Sequence, residues 1–290
     1  MAAAEQALPT PGPAPAPRRA RLGFVFWAAL AWIVALLVAA AFADVLPLPS
    51  PTDMDMLARR APPSAEHWLG TDNLGRDVAA RLVFGARVSL TVGLCAPLIA
   101  LTLGGAAGLL AGYFRGHLDT IVSGSVDVLL AFPPLVLALA VTAFLGQSLA
   151  NMTLILGFLG IPVFTRVARS ATLAFSQREF VTAARALGAT HTRVLLRELL
   201  PNVALPLSAF LLVAVAVTIV VESALSFLGL GVPPPQPSWG SMIGEGRESL
   251  DSAAWLAFTP AAVMFMTVLA FNLIGDTMRA ITEPRRAAGS

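Results

Sequence analysis

Two carboxylic acids, Asp127 and Glu222, stand inside long hydrophobic stretches of the chain, where a charged side chain could bind a solute. A carboxylate within a bilayer is costly unless it has a partner or contacts water. We therefore expect both to line a translocation pathway, with Glu222 as the counter-charge for an amino group. The alternative is a structural hydrogen bond to a neighbouring helix, and the sequence leaves both interpretations open.

Other reactive side chains are few and scattered. The single cysteine, Cys95, cannot form a disulfide within the chain, and the three histidines lack the spacing of metal ligands. We find no G-x-x-x-x-G-K-[ST] phosphate loop and no plausible Ser/His/Asp set. The sequence therefore predicts a chain without a metal site, a cofactor or a catalytic site of its own.

Two segments between hydrophobic stretches are rich in turn residues. In the first, HWLGTDNLGRDV, Asp72 and Arg76 could brace a turn before a short amphipathic helix near residues 77–88. The acidic residues there lack the full ligand series of a calcium loop. In the second, residues 229–253, a triple proline precedes Trp239, so an irregular loop is expected.

The elements that must position these residues are membrane-spanning helices. The chain is 57% hydrophobic and only 12% charged, with a mean hydropathy of +0.77, which is too apolar for an ordinary soluble domain. Runs long enough to cross about 30 Å of hydrocarbon lie at 23–43, 88–113, 119–145, 150–175, 202–228 and 254–276. These runs lack the alternation of a β-barrel. They predict an all-α membrane protein with six transmembrane helices.

The arginines indicate the orientation. All 19 basic residues are arginine, and thirteen of them lie near the two tails or the loops near 115 and 176–199, against six on the other side. The positive-inside rule therefore places both termini in the cytoplasm. The predicted organisation is a disordered tail at 1–22, a first transmembrane helix at 23–43, an extracytoplasmic loop at 44–87, a core of five further spans at 88–280 and a tail at 281–290.

One mixed polar and apolar stretch, FVTAARALGATHTRVLLRELLP, interrupts the spans on the arginine-rich side. Ser176 and Glu179 have the spacing of a capping box, which predicts a helix over 177–188. Gly188 would end this helix and Thr190 would cap a second one. An apolar stripe recurs at i, i+3, i+4 and i+7, at Phe180, Ala183, Ala184 and Leu187. At about 15 Å the helix cannot cross the bilayer, so it must rest in the headgroups or dock into a protein groove.

The same stretch resembles the EAA loop of ABC importer permeases, the coupling helix that docks into a cleft of the ATPase subunit. Ala183, Ala184, Gly188 and Leu200-Pro201 match the loop, whereas Thr182 stands where the family usually has Glu. Longer segments at 67–93, 127–140, 178–189, 222–243 and 267–279 resemble the C-type permeases of dipeptide, oligopeptide and nickel importers. These segments occur in order and are spread over the chain from residue 67 to residue 279.

The resemblance implies a type I ABC importer permease fold in a bacterial cytoplasmic membrane. The implied partners are a homologous B-type permease, two cytoplasmic ATPase subunits that bind ATP and Mg, an extracytoplasmic solute-binding protein and the lipid bilayer; no nucleic acid is expected. The implied ATPase-coupling residues are Glu179, Phe180, Ala183, Ala184, Arg185, Leu187 and Gly188. Asp72, Arg76 and Trp239 are expected to contact the binding protein.

The expected solutes are di- or oligopeptides, and the alternatives within the same architecture are nickel chelates, glutathione and sugars. A channel or a secondary transporter that works without ATP is an alternative of a different class. It is disfavoured because the chain has no evident inverted repeat and because it would leave the coupling-helix features without a purpose.

Overall fold

The computed structural model describes residues 23–282, whose regular elements are all helical. The predicted tail at 1–22 and residues 283–290 of the second predicted tail lie outside this range. The elements are α1 Phe24–Ala41, α2 Val78–Phe114, α3 Gly116–Leu130, α4 Pro134–Leu145, α5 Leu149–Ser176, α6 Glu179–Ala186, α7 His191–Arg193, a π-helical turn Val194–Leu199, α8 Leu200–Phe227, α9 Trp239–Arg247 and α10 Trp255–Thr282.

Within residues 23–282, five helices are long and apolar enough to cross a membrane, and α3 with α4 makes a sixth if the two count as one span. The five are α1, α2, α5, α10 and the continuous helix His191–Phe227. The predicted all-α class with about six spans is therefore confirmed. The span predicted at 119–145 is broken, however, by a bend of 84°. Pro133 and Pro134 lack the backbone N–H and disfavour helical geometry in the preceding residue, so α3 ends at Leu130.

Side-chain caps move two helix boundaries away from the predicted positions. The carboxylate of Asp77 accepts a hydrogen bond from the Ala80 amide at 2.7 Å, and α2 begins there. The predicted amphipathic helix near 77–88 is thus the first part of α2 and belongs to no separate element. The expectation that 229–253 is wholly irregular is also wrong. Ser238 and Ser241 form a capping box after the prolines, and α9 follows.

The packing of α2 against α5 depends on small residues. Gly104, Gly108 and Gly112 recur every four residues on the face of α2 that meets α5. A Cβ atom on Gly108 would overlap the backbone oxygen of Thr165 and would lie 2.7 Å from the Cβ of Ala168. Such close approach of two backbones is typical of membrane helices packed through small residues. It fixes the position of α5, which carries two arginines, against the rest of the bundle.

The bundle has two ends, which we name after the short helices that lie there. At the α9 end, α9 packs against α8 and α10. At the α6 end, Val181 of α6 is buried with Tyr113 of α2 and with Leu199 and Val203 of the continuous helix His191–Phe227. A central core that includes Leu90, Ile219 and Phe271 joins α1, α2, α8 and α10.

Candidate functional site

The helix α6 lies at the tip of the bundle and is too short to cross it. Its eight residues, Glu179–Ala186, begin after Arg178, which forms no side-chain cap. The predicted capping box does not form, because Ser176 is the last residue of α5 and the residue before α6 is Arg178. The hydroxyl of Ser176 donates to the Leu173 backbone oxygen inside the last turn of α5. The helix therefore starts two residues later than predicted, once the chain has left α5.

The end of α6 has the predicted geometry. Gly188 adopts a positive φ of 80°, and the amide of Ala189 donates to the Ala184 oxygen at 3.0 Å, which closes the helix. Thr190 then caps the next helix, its hydroxyl accepting from the Arg193 amide at 3.4 Å. The turn between the two helices is therefore tight, and a positive φ is readily adopted by glycine.

Most of the predicted apolar stripe of α6 faces away from the bundle. Phe180 is 37% exposed and Leu187 is 89% exposed, while Ala183 is exposed and Ala184 is half-buried. The residue that anchors α6 is Val181, which is fully buried at the α6 end. The helix thus presents an apolar surface that residues 23–282 leave uncovered, and this surface can accept another protein.

A polar contact ties α6 to α2 and to the start of the following helix. The hydroxyl of Tyr113 and the Nδ1 atom of His191 are 2.8 Å apart, within hydrogen-bonding distance. The guanidinium of Arg185 lies over the Tyr113 ring at 5.1 Å from its centre. Arg185 is one of the predicted ATPase-coupling residues, and it remains exposed while it contacts Tyr113. Tyr113 is therefore the residue through which α6, α2 and α7 meet.

At the α9 end, charged side chains form a network that braces the outer segments. Arg76 donates to Asp72 at 2.6 Å and to Glu245 of α9 at 2.7 Å, and Arg81 donates to the same Glu245 at 3.0 Å. Asn73 donates to the Glu245 backbone oxygen at 3.1 Å. The predicted brace between Asp72 and Arg76 is present, and it also joins the segment before α2 to α9.

The structure buries the residues that were predicted to contact a binding protein. Trp239 has no exposed surface, and its indole N–H donates to the Leu82 backbone oxygen at 3.1 Å. That prediction is wrong for Trp239, because a fully buried ring cannot touch a docked protein. Asp72 and Arg76 are also buried. Arg76 forms ion pairs with Asp72 and with Glu245. These residues shape the α9 end from within.

Glu222 is fully buried between α2, α8 and α9. Its carboxylate accepts hydrogen bonds from the hydroxyls of Ser89 at 3.0 Å, Ser226 at 2.7 Å and Ser223 at 3.3 Å. The hydroxyl of Ser89 in turn accepts from the Trp239 amide at 3.3 Å. In this conformation Glu222 does not line an open pathway, and the structural alternative describes its surroundings.

Asp127, the second acid inside a span, is in contrast accessible. It forms an ion pair with Arg166 of α5 at 2.6 Å, and both side chains are more than half exposed. An apolar groove of about 310 Å³ lies between α2, α4, α5 and α8. Residues of α5 that line this groove, Leu159 and Val163, lie on the same helix face as Arg166.

Several of these contacts are absent from the sequence-based prediction. Tyr113 and His191 are 78 positions apart, and Arg166 and Asp127 are 39 apart. The sequence could have indicated the second pair, because an arginine and an acid inside neighbouring spans need each other as partners. Among residues 23–282, no group of three or more His, Cys, Asp or Glu is arranged to hold a metal ion.

The sequence of this chain matches a known family and several known proteins. A family described as "binding-protein-dependent transport system inner membrane component" matches residues 104–288. The glutathione transport system permease protein GsiD of Pectobacterium atrosepticum is 39% identical over 254 residues, which are 87% of this chain and 84% of that protein. The dipeptide transport system permease protein DppC of Alkalihalophilus pseudofirmus is 38% identical over 253 residues, 87% and 83% of the two chains.

A solved structure has the same fold. It is the MetNI methionine ABC transporter in an inward-facing conformation, with a TM-score of 0.59 over 70% of this chain and 97% of that chain. The two sequences are only 20% identical, so the likeness concerns the fold.

Proposed function

The chain belongs to the family of binding-protein-dependent transport system inner membrane components, and from this premise we propose that it passes short peptides through the membrane of a bacterium. It is a multi-pass permease subunit of an ABC importer of the peptide family. The named substrates of two relatives, glutathione and a dipeptide, support a short peptide as the solute. Nickel chelates and sugars are the alternative solutes, and transport assays with a panel of these compounds and peptides distinguish them.

The single observation that carries the coupling mechanism is the exposed apolar surface of α6. Leu187 is almost fully exposed and Phe180 is partly exposed, while Val181 holds the helix to the ends of α2 and α8. We propose that an ATPase subunit covers Phe180 and Leu187 and that its closure around ATP and Mg moves α6. Hydrolysis then takes place in the partner, and this chain converts the movement into a change of the pathway.

The orientation follows from the same proposal. The α6 end faces the cytoplasm, in agreement with the excess of arginine there, and both termini lie on that side. The α9 end then faces the solute-binding protein, which contacts the surface that Asp72, Arg76 and Glu245 brace. A homologous B-type permease completes the pathway, and two ATPase subunits serve the permease pair.

The function is tested by ATP hydrolysis of the complex in liposomes, with Gly188→Pro as the variant. Proline fixes φ near −65° and removes the amide that donates to the Arg185 oxygen at 2.9 Å, whereas Gly188 needs a φ of 80°. We expect peptides to stimulate hydrolysis by the wild-type complex and the stimulation to fall by at least about tenfold in the variant.

Gly188→Asn is the matched control. Asparagine tolerates a positive φ, and a Cβ at this position would meet no atom of the described residues within 4 Å, so stimulation is expected to persist. The proposal is overturned if no ATPase subunit assembles with the chain and the chain alone conducts the solute.

The variant Tyr113→Phe tests how α6 is connected to α2. It removes the hydroxyl that bonds to His191 and keeps the ring that packs under Arg185. Because one such hydrogen bond contributes about 0.5–1.5 kcal/mol, we expect the ATP hydrolysed per peptide imported to rise by about two- to tenfold while assembly is unchanged.

The conservative variant His191→Asn serves as the control for this experiment. Its side-chain amide can occupy the position of Nδ1, so a ratio near the wild-type value is expected. An unchanged ratio in Tyr113→Phe would show that this hydrogen bond does not transmit the movement of α6.

A further inference from the structure

Among the ion pairs of residues 23–282, Asp127 with Arg166 is the one in which both side chains are more than half exposed. Its two side chains are 63% and 58% exposed. The neighbouring pair of the same helices, Asp119 with Arg169, is much less exposed, at 19% and 35%. Arg166 lies ten residues before the end of α5, about 15 Å from the α6 end at 1.5 Å per residue.

Charged side chains at such a depth do not face lipid, because a charge in hydrocarbon is costly. An exposed pair within a span therefore faces either a partner subunit or a path that holds water and solute. The pair also has unused hydrogen-bonding capacity. Within residues 23–282 its side chains share one hydrogen bond, from Arg166 Nη2 to Asp127 Oδ1, although a guanidinium has five N–H donors.

The surroundings of the pair favour a solute path. On α5, Leu159, Val163 and Arg166 are spaced i, i+4 and i+7, so they share one face, and the first two line the apolar groove. Pro134, which opens α4 at the break after α3, lines the same groove. Solute sites of membrane transporters commonly lie beside such broken helices. The groove volume, about 310 Å³, is within the range of small-molecule sites.

We propose that Asp127 and Arg166 bind the two charged termini of the transported peptide. The carboxylate of the peptide replaces Asp127 as the ion-pair partner of Arg166. The ammonium group of the peptide replaces Arg166 as the partner of Asp127. The apolar groove receives the side chains of the peptide. The pair is neutral as a whole, so it suits a zwitterion, and a solute with only one charge leaves one partner unsatisfied within the membrane. This inference rests on the proposed function and narrows its substrate class to peptides with free termini.

The test measures binding to the assembled importer in nanodiscs, without binding protein, by saturation-transfer NMR. The three ligands are dialanine, N-acetyl-dialanine and dialanine amide. We expect the wild-type complex to prefer dialanine over both blocked peptides by about tenfold, as for one charge-assisted contact. Asp127→Asn should abolish the preference over the N-acetyl peptide. Arg166→Gln should abolish the preference over the amide.

The control variant is Asp44→Asn, which neutralises one partner of an exposed ion pair, Asp44 with Arg87 at 2.7 Å, near the α9 end. It should leave both preferences unchanged. The inference is overturned if both preferences survive in Asp127→Asn and Arg166→Gln, or if these variants separate the two permeases, since the pair is then a subunit contact. ATP hydrolysis by the same preparations keeps the proposals apart: a complex without ATPase subunits overturns the proposed function, whereas an active complex with unchanged preferences overturns only this inference.

Discussion

Replacing Leu187 by aspartate is expected to release the ATPase subunits from the permease pair. Leu187 is 89% exposed at the end of α6, so the substitution leaves the interior of the bundle intact. A leucine that becomes fully buried contributes about 1.5–3 kcal/mol, and an aspartate would add the cost of an unpaired charge in an apolar cleft. Because 1.4 kcal/mol is a tenfold change, the ATPase retained on affinity-purified permease should fall by at least about tenfold.

The control is Leu250→Asp, the same substitution at an exposed leucine near the α9 end. It should retain the ATPase fully, because that end faces away from the cytoplasm in the proposed orientation. Both variants should keep the thermal stability of the wild-type chain. Wild-type retention of the ATPase by Leu187→Asp would contradict the docking of α6 on that subunit.

The sequence predicted the helical spans well and their ends poorly. Length and hydrophobicity decide whether a segment can cross a bilayer, and these properties are local. The ends depend on individual caps, such as Asp77 before α2 and Ser238 before α9, which extend helices beyond the apolar run. The break after Leu130 was readable from Pro133 and Pro134, but a criterion of length alone merged the two halves into one span.

The short helix α6 was predicted from its turn residues, whereas its orientation could not be. A helix of eight residues has too few turns for its apolar periodicity to show which face is covered. The buried anchor is Val181, and the stripe that contains Phe180 and Leu187 points outward. Only the packing of α2 and the helix after Gly188 decides between these faces.

The polar clusters required contacts between distant parts of the chain. Trp239 is buried, and it donates hydrogen bonds to Leu82 and Ser89, which lie 157 and 150 positions away in the sequence. An aromatic residue after a proline-rich loop is equally compatible with an exposed interface, and nothing local separates the two cases. Glu222 is similar, because its hydroxyl partner Ser89 is 133 positions distant.

The substitution Gly108→Leu is expected to prevent the recovery of folded protein. A Cβ at this position would overlap the Thr165 oxygen and would lie 2.8 Å from the Arg169 amide nitrogen, so backbone atoms of α5 would have to move. A Cβ on Gly104 or Gly112 would also lie less than 3.0 Å from atoms of α5, one turn on either side, so a local shift would separate the helices along their shared face. Overpacking costs about 1–3 kcal/mol where side chains can adjust, and backbone contacts adjust less. We expect folded protein, measured by size-exclusion chromatography, to fall by at least about tenfold.

Two glycine-to-alanine variants test the close packing of α2 against α5 through the direction in which each shifts thermal stability. At Gly124 in α3 a Cβ would meet no atom of residues 23–282 within 4 Å, and alanine in a helix is about 0.5–1 kcal/mol more favourable than glycine. Gly124→Ala should therefore keep or raise the midpoint of thermal unfolding, and Gly108→Ala should lower it, although the chemical change is identical. If both variants shift the midpoint in the same direction, helix propensity outweighs the contact of α2 with α5, and this packing does not set the position of α5 and its Arg166.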